Sequence, residues 1–225
     1  MIVVIHSLLI CALTLGCPWR VIDSVKPNAG HSVYDRPISS LTLPSNPLYY
    51  RGLRLNAEHP GMKYLGAQEA LATGEAFPDA LSCLAHGPGD DTASLAELAT
   101  GKFEAMADLE TCLQRVGNEL GDLSVVKPWL HAVGFGWAEE RSVSLWLASN
   151  SLGMDDSDVA VFRASWRGRP DNILGRPYPM SLRFRLTKTW GLAPMGMFAK
   201  NLDLTLVFRR DDMRVISADV VMIFL

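Results

Sequence analysis

The residues best suited to chemistry in this 225-residue chain are its histidines and a short acidic cluster. His31, His59, His86 and His131 are scattered along the chain. His131 lies in Pro128-Trp129-Leu130-His131, and its aromatic neighbour predicts a semi-buried ring. A histidine acts as a base only with a nucleophile in hydrogen-bond reach and an acid to orient it. Whether either stands beside His131 is a matter of tertiary structure and not of sequence spacing. Asp155, Asp156 and Asp158 have a D-D-x-D spacing that could hold a hard cation through oxygens. They lack the glycine and the distant glutamate of a calcium loop, so they read as a solvated turn. No residue is assigned to catalysis or to a metal, and no cofactor is implied.

The four cysteines divide differently. Cys11 and Cys17 fall in or just after the N-terminal apolar run, which leaves Cys83 and Cys112 as a pair in the globular part. An even number there is consistent with one disulfide in an oxidising compartment. No C-x-x-C is present, and no histidine sits at metal-ligand spacing from a cysteine, which argues against zinc.

Two glycine-bearing segments resemble known motifs. His86-Gly87-Pro88-Gly89 resembles the oxyanion turn of esterases, but no G-x-S-x-G elbow accompanies it, so it reads as a polar loop. Arg167-Gly168-Arg169-Pro170 resembles the core of an AT-hook, yet it lies between strand candidates in a chain of net charge −3. Nucleic-acid binding needs a basic stripe, and none is present. Residues 167–179 therefore read as a long hairpin loop. Its Arg167, Arg169 and Arg176 could meet carboxylates or phosphates bidentately. Trp190 to Phe198 reads WGLAPMGMF, an apolar loop whose Trp190, Met195 and Met197 suit either the core or an adaptable contact surface.

The elements that must position these residues form two halves. Residues 62–73 have helical composition, and Pro78 suits the first turn of a helix over 77–85. Gly87 to Asp91 breaks the chain. Thr92 is a plausible cap for a short helix over 92–99. The strongest helix spans 102–120. Phe103, Met106, Leu109, Leu113, Val116 and Leu120 recur there at spacings of three and four, and Gly121 ends it. Five strand candidates follow at 142–147, 159–166, 181–190, 202–209 and 215–224, with period-two patterning. Helices first and strands second predict an α+β fold, with the helical half packed on a C-terminal antiparallel sheet of about five strands. The apolar end Val220 to Leu225 is expected as an interior strand, because an exposed one invites aggregation.

The N-terminus carries an address. Residues 2–16 contain no Asp, Glu, Lys or Arg, and their length suits a signal-peptide core and is short for a span of ~20 residues. Gly16-Cys17 closes this run, and residues 14–17 resemble the lipobox of bacterial lipoproteins, with Thr14 where that pattern places leucine. The resemblance implies lipidation at Cys17. The boundaries expected are a signal peptide or anchor over 1–16, a tether over 17–46 and one domain over 47–225. Against export stand the lack of Lys or Arg before the run and the presence of Arg20 and Lys26 after it.

Function follows as an expectation: an exported, lipid-tethered interaction protein of the cell envelope, in periplasm or outer envelope, that docks or blocks a protein partner as an assembly or immunity protein. One alternative is a small hydrolase or isomerase with a pocket under the sheet, into which His131, Asp155 or Arg185 would project. Another is a membrane-anchored subunit of a larger complex, with residues 2–16 retained.

Overall fold

The computed structural model describes residues 32–42, 47–142, 155, 157–167 and 199–224. These form an α+β fold. In chain order, the elements are β1 (Asp35–Pro37), α1 (Ile38–Leu41), β2 (Tyr49–Tyr50), β3 (Leu53–Arg54), α2 (Leu65–Ala76), β4 (Thr92–Ser94), α3 (Met106–Gly117), α4 (Val126–Val133), β5 (Trp137–Arg141), β6 (Val159–Arg167), β7 (Ala199–Arg209) and β8 (Val215–Phe224). The last four strands make one antiparallel sheet in the order β5-β6-β7-β8.

Period-two alternation sorts the sheet's side chains into two faces. Phe162, Ala164, Trp166, Leu202, Leu204, Leu206 and Phe208 point inward with Val220 and Met222, all buried. The apolar stripe of α3 lies against this face: Leu109, Leu113 and Val116 are fully buried in the same core. α4 adds Trp129, whose indole donates to the Leu95 carbonyl at 3.0 Å. The α4 chain leaves through Gly134 at φ +127°, a region costly for residues with a Cβ. A Cβ there would also stand 3.1 Å from the Trp166 ring.

Helix α3 is shorter at both ends than its periodicity predicts. Residues 104 and 105 are drawn off by Asp108, whose carboxylate accepts from the Glu104 and Ala105 amides at 2.7 and 3.0 Å. This is an acidic cap at a helix N-terminus. Gly121 does take the left-handed conformation, at φ +70°.

Several expectations are corrected. Residues 77–85 form only a 3-10 turn at Leu81–Cys83. There the Asp79 carboxylate accepts from the Ser82 amide at 2.7 Å, which makes a local turn instead of a first helical turn. Thr92–Ser94 is a strand, because β1 pairs with it and supplies hydrogen bonds that local propensity cannot anticipate. Residues 35–41, expected in the tether, are part of the fold, with Leu41 in the main core. The first strand of the large sheet is Trp137–Arg141, just before the 142–147 expected, and residues 143–147 lie outside the described residues. So does the candidate at 181–190. In the sheet, β6 pairs directly with β7. Among the described strands β8 is an edge, not an interior strand.

Candidate functional site

The edge of β8 is where polar side chains converge. An edge strand presents unpaired amides and carbonyls that must be covered. Helix α3 lies alongside, and three residues at i, i+4 and i+8 share one of its faces: Glu110, Gln114 and Asn118. The Asn118 side-chain oxygen accepts from the Val215 amide at 2.7 Å, and Glu110 Oε1 accepts from the Val220 amide at 2.8 Å. Gln114 does the same for β2. Its Oε1 accepts from the Tyr49 amide at 3.0 Å and its Nε2 donates to the Tyr49 carbonyl at 2.7 Å. The hairpin closes the remaining gap, with the Gly52 amide donating to the Ile216 carbonyl at 2.8 Å. Sequence spacing alone does not single out this polar line. The apolar stripe beside it identifies the helix, and only the tertiary position of β8 shows what the polar line is for.

The β2–β3 hairpin turns at Arg51 and Gly52, both with positive φ, +50° and +82°. That pair suits the two-residue hairpin turn that matches strand twist, although Arg at the first position carries some strain. Tyr49 then folds onto Val159, Val161, Val207 and Ile216, covering one end of the sheet's outer face. A β-bulge between Val207 and Phe208 accommodates this.

A small cleft opens where hairpin, α3 and β8 meet. Tyr50, Arg51, Glu110, Thr111, Ser217 and Asp219 are among its lining residues. Its volume is about 10 Å³, room for about one water. Burial pushes the Glu110 carboxyl up to about 7; the Val220 amide opposes that shift, and the negative charges of Asp219 and Glu69 add to it. A carboxyl near neutrality beside a second carboxylate is the arrangement acid–base catalysis uses. Here its oxygen is already engaged with a backbone amide. Ser217 donates to Asp219 at 3.0 Å.

No family model, curated protein or solved structure matches this chain.

Beyond the Tyr49 patch the outer face carries mostly polar side chains. Register lines up Glu139, Arg163, Thr205 and Asp219 across four strands, and Trp137, Ser165, Asp203 and Val221 in the next row. Asp203 accepts from Ser165 at 2.8 Å, and Glu139 pairs with Arg141, whose guanidinium lies over the Trp137 ring. Trp137 is 38% exposed on β5, and Val221 54% and Ile223 38% on β8, so apolar surface stands at both edges of a face that is polar between them.

The residues singled out from sequence fare unevenly. Cys83 and Cys112 form a disulfide between fully buried positions, with Cα atoms 5.3 Å apart. Arg167 is the last residue of β6, paired with Asn201, and so not part of a hairpin loop. Cys17, Arg169, Arg176, Arg185, Trp190, Met195 and Met197 lie outside the described residues. His131 is exposed, not semi-buried, because it sits on the solvent side of α4; its Nδ1–H donates to the Phe135 carbonyl at 2.9 Å. His59 is the buried histidine: Nε2–H donates to the Tyr50 carbonyl at 3.1 Å and Nδ1 accepts from the Gly61 amide at 2.9 Å. Both ring nitrogens are thereby spent on local structure. Asp155 and Asp158 close a turn through the Asp158 amide and the Asp155 carbonyl at 2.9 Å. Among the described residues no group of three or more His, Cys, Asp or Glu is placed to hold a metal, and no helix is long and apolar enough to cross a membrane.

Proposed function

We propose that the chain is an exported protein, held at the cell envelope by its N-terminal segment, that works by docking a protein partner in a blocking or assembly role. The observation that carries docking is the set of exposed apolar side chains on the outer face of the sheet. Trp137 and Val221 lie at opposite ends of the row that holds the hydrogen-bonded Ser165–Asp203 pair, and Ile223 follows Val221 on the same face of β8. Aromatic and aliphatic anchors set among polar groups are the usual make-up of a docking patch. Export is supported by the Cys83–Cys112 bridge, since such bonds persist in oxidising compartments. The Gly16-Cys17 step supports the tether.

A second reading has one observation in its favour. Glu110, pushed up to about 7 beside Asp219, suits a small hydrolase. The cleft's one-water volume and the engagement of Glu110 with the Val220 amide favour a structural task instead.

The test is made in the native host. A photo-reactive amino acid replaces Val221, and the cells are fractionated with Cys83 and Cys112 assayed for free thiol. An envelope fraction, no free thiol and one crosslinked protein partner are expected. Two free thiols in a cytosolic fraction would sink export. An envelope protein that crosslinks nothing from position 221, while remaining folded, would sink docking through this face.

A further inference from the structure

A second exposed patch lies around Tyr50, on the hairpin that borders the β8 end of the outer face. Tyr64 is 58% exposed, Leu65 67% and Leu53 48%. They are neighbours through Tyr50. Leu53 is its cross-strand partner, and a Cβ on Gly66, in the first turn of α2, would fall 2.7 Å from the Tyr50 hydroxyl. Two exposed cations belong to the same patch, each stacked on an aromatic ring. Arg51 lies 5.5 Å above Tyr50, and Lys63 lies 5.1 Å above Tyr64. Neither makes an ion pair with a carboxylate among the described residues. Residues 49–66 hold three cations, with Arg54 the third, and one anion, Glu58, in a chain whose net charge is −3. This stretch of the chain thus carries an excess of cations, while Asp219 lies across the cleft that Arg51 lines.

We infer that this patch, Arg51, Leu53, Lys63, Tyr64 and Leu65, rests on the headgroup layer of an anionic lipid bilayer. The inference rests on the envelope reading above and names a contact that the reading does not include. Tyrosine rings and leucine tips suit the boundary between headgroups and acyl chains. Lysine and arginine can lay their stems along such a surface while their charges meet lipid phosphates. A protein interface core would instead be depleted in lysine.

The test uses the full chain with phosphatidylglycerol–phosphatidylcholine vesicles and with phosphatidylcholine vesicles alone, read by amide hydrogen exchange and by flotation. Slowed exchange over residues 50–54 and 62–68 on the anionic vesicles only is the expected result. The variant Arg51→Asn with Lys63→Gln keeps the turn, because Asn accepts positive φ readily. It should abolish the protection. Where flotation depends on the patch, partition should fall about thirty-fold, about fivefold per cation removed. If the N-terminal segment itself inserts, flotation of the variant persists but local protection is still lost. Equal exchange with both vesicle types would overturn the inference. Protection by an acidic peptide without vesicles would overturn it in favour of a protein partner. A cytosolic location in the native host would defeat the envelope reading, yet it would leave this measurement on vesicles unchanged.

Discussion

The two faces of the C-terminal sheet are built from the same four strands, yet they answer to different constraints. Inside, Phe162, Leu204, Leu206 and Phe208 are almost fully buried against α3 and α4, so one missing methylene is felt by close-packed neighbours. Outside, Arg163, Thr205, Asp203 and Asp219 meet solvent or one another, and Val221 and Ile223 stand exposed among them. The inner face carries stability; the outer face is free to carry specificity. A third region, the β8 edge, belongs to neither: it is closed by hydrogen bonds from side chains rather than by burial.

The contrast is most easily broken at β7, where adjacent odd and even residues point to opposite faces. Phe208→Ala removes a ring packed edge-on against Phe162 at 5.8 Å and should cost about 3–5 kcal/mol in urea unfolding. Thr205→Ala, on the outer face of the same strand, should stay within about 0.5 kcal/mol. Equal losses at the two positions would show that the outer face is also core.

Next in size is the disulfide, which staples α3 to the turn before β4. Its sequence separation of 29 gives about 3.6 kcal/mol from loop entropy alone, so Cys83→Ala with Cys112→Ala should lower stability by about 2–4 kcal/mol. A smaller loss by thermal unfolding would mean that the helical half is held by packing without it.

The edge offers the third comparison. Glu110 holds its proton to about pH 7 when folded, above its ordinary value of 4.5. Below 4.5 it is protonated in both states and imposes no penalty. As pH rises from 4.5 to about 7, only the unfolded chain releases the proton, and stability falls, by up to about 3 kcal/mol. Glu110→Gln keeps an acceptor for the Val220 amide without the charge. It should gain stability at pH 8, gain little at pH 4, and flatten the profile between. A flat profile in the unmodified protein would place Glu110 in water. A smaller loss than at the disulfide is expected at the other cap: Asn118→Ala orphans the Val215 amide and should cost about 1–2 kcal/mol by equilibrium unfolding, with faster amide exchange at Val215.

Legibility followed the reach of the forces involved. The 3–4 spacing of Leu109, Leu113 and Val116 and the alternation in Leu202 to Arg209 report burial directly, so α3, β6, β7 and β8 could be read. β5 could not: Trp-Ala-Glu-Glu-Arg has no apolar alternation, and pairing with β6 makes it a strand. Thr92 to Ala99 contains helix-compatible residues, but β1 takes Thr92–Ser94 into a ladder. Of the candidate site, Cys83 and Cys112 were legible by elimination, whereas Glu110 looked like any glutamate on a helix's polar side.

By itself, then, the sequence determined that the main helices precede the large sheet, the apolar stripe of α3, the alternating strands β6, β7 and β8, and the cysteine pair. Each of these follows from burial or from covalent chemistry, which leave a local pattern. The tertiary structure alone decided that β8 is an edge among the described strands, that Glu110, Gln114 and Asn118 close it and its hairpin neighbour, and that Glu110 keeps its proton near neutrality. Those outcomes depend on where a backbone amide from 110 residues away comes to rest, and no local spacing records that position.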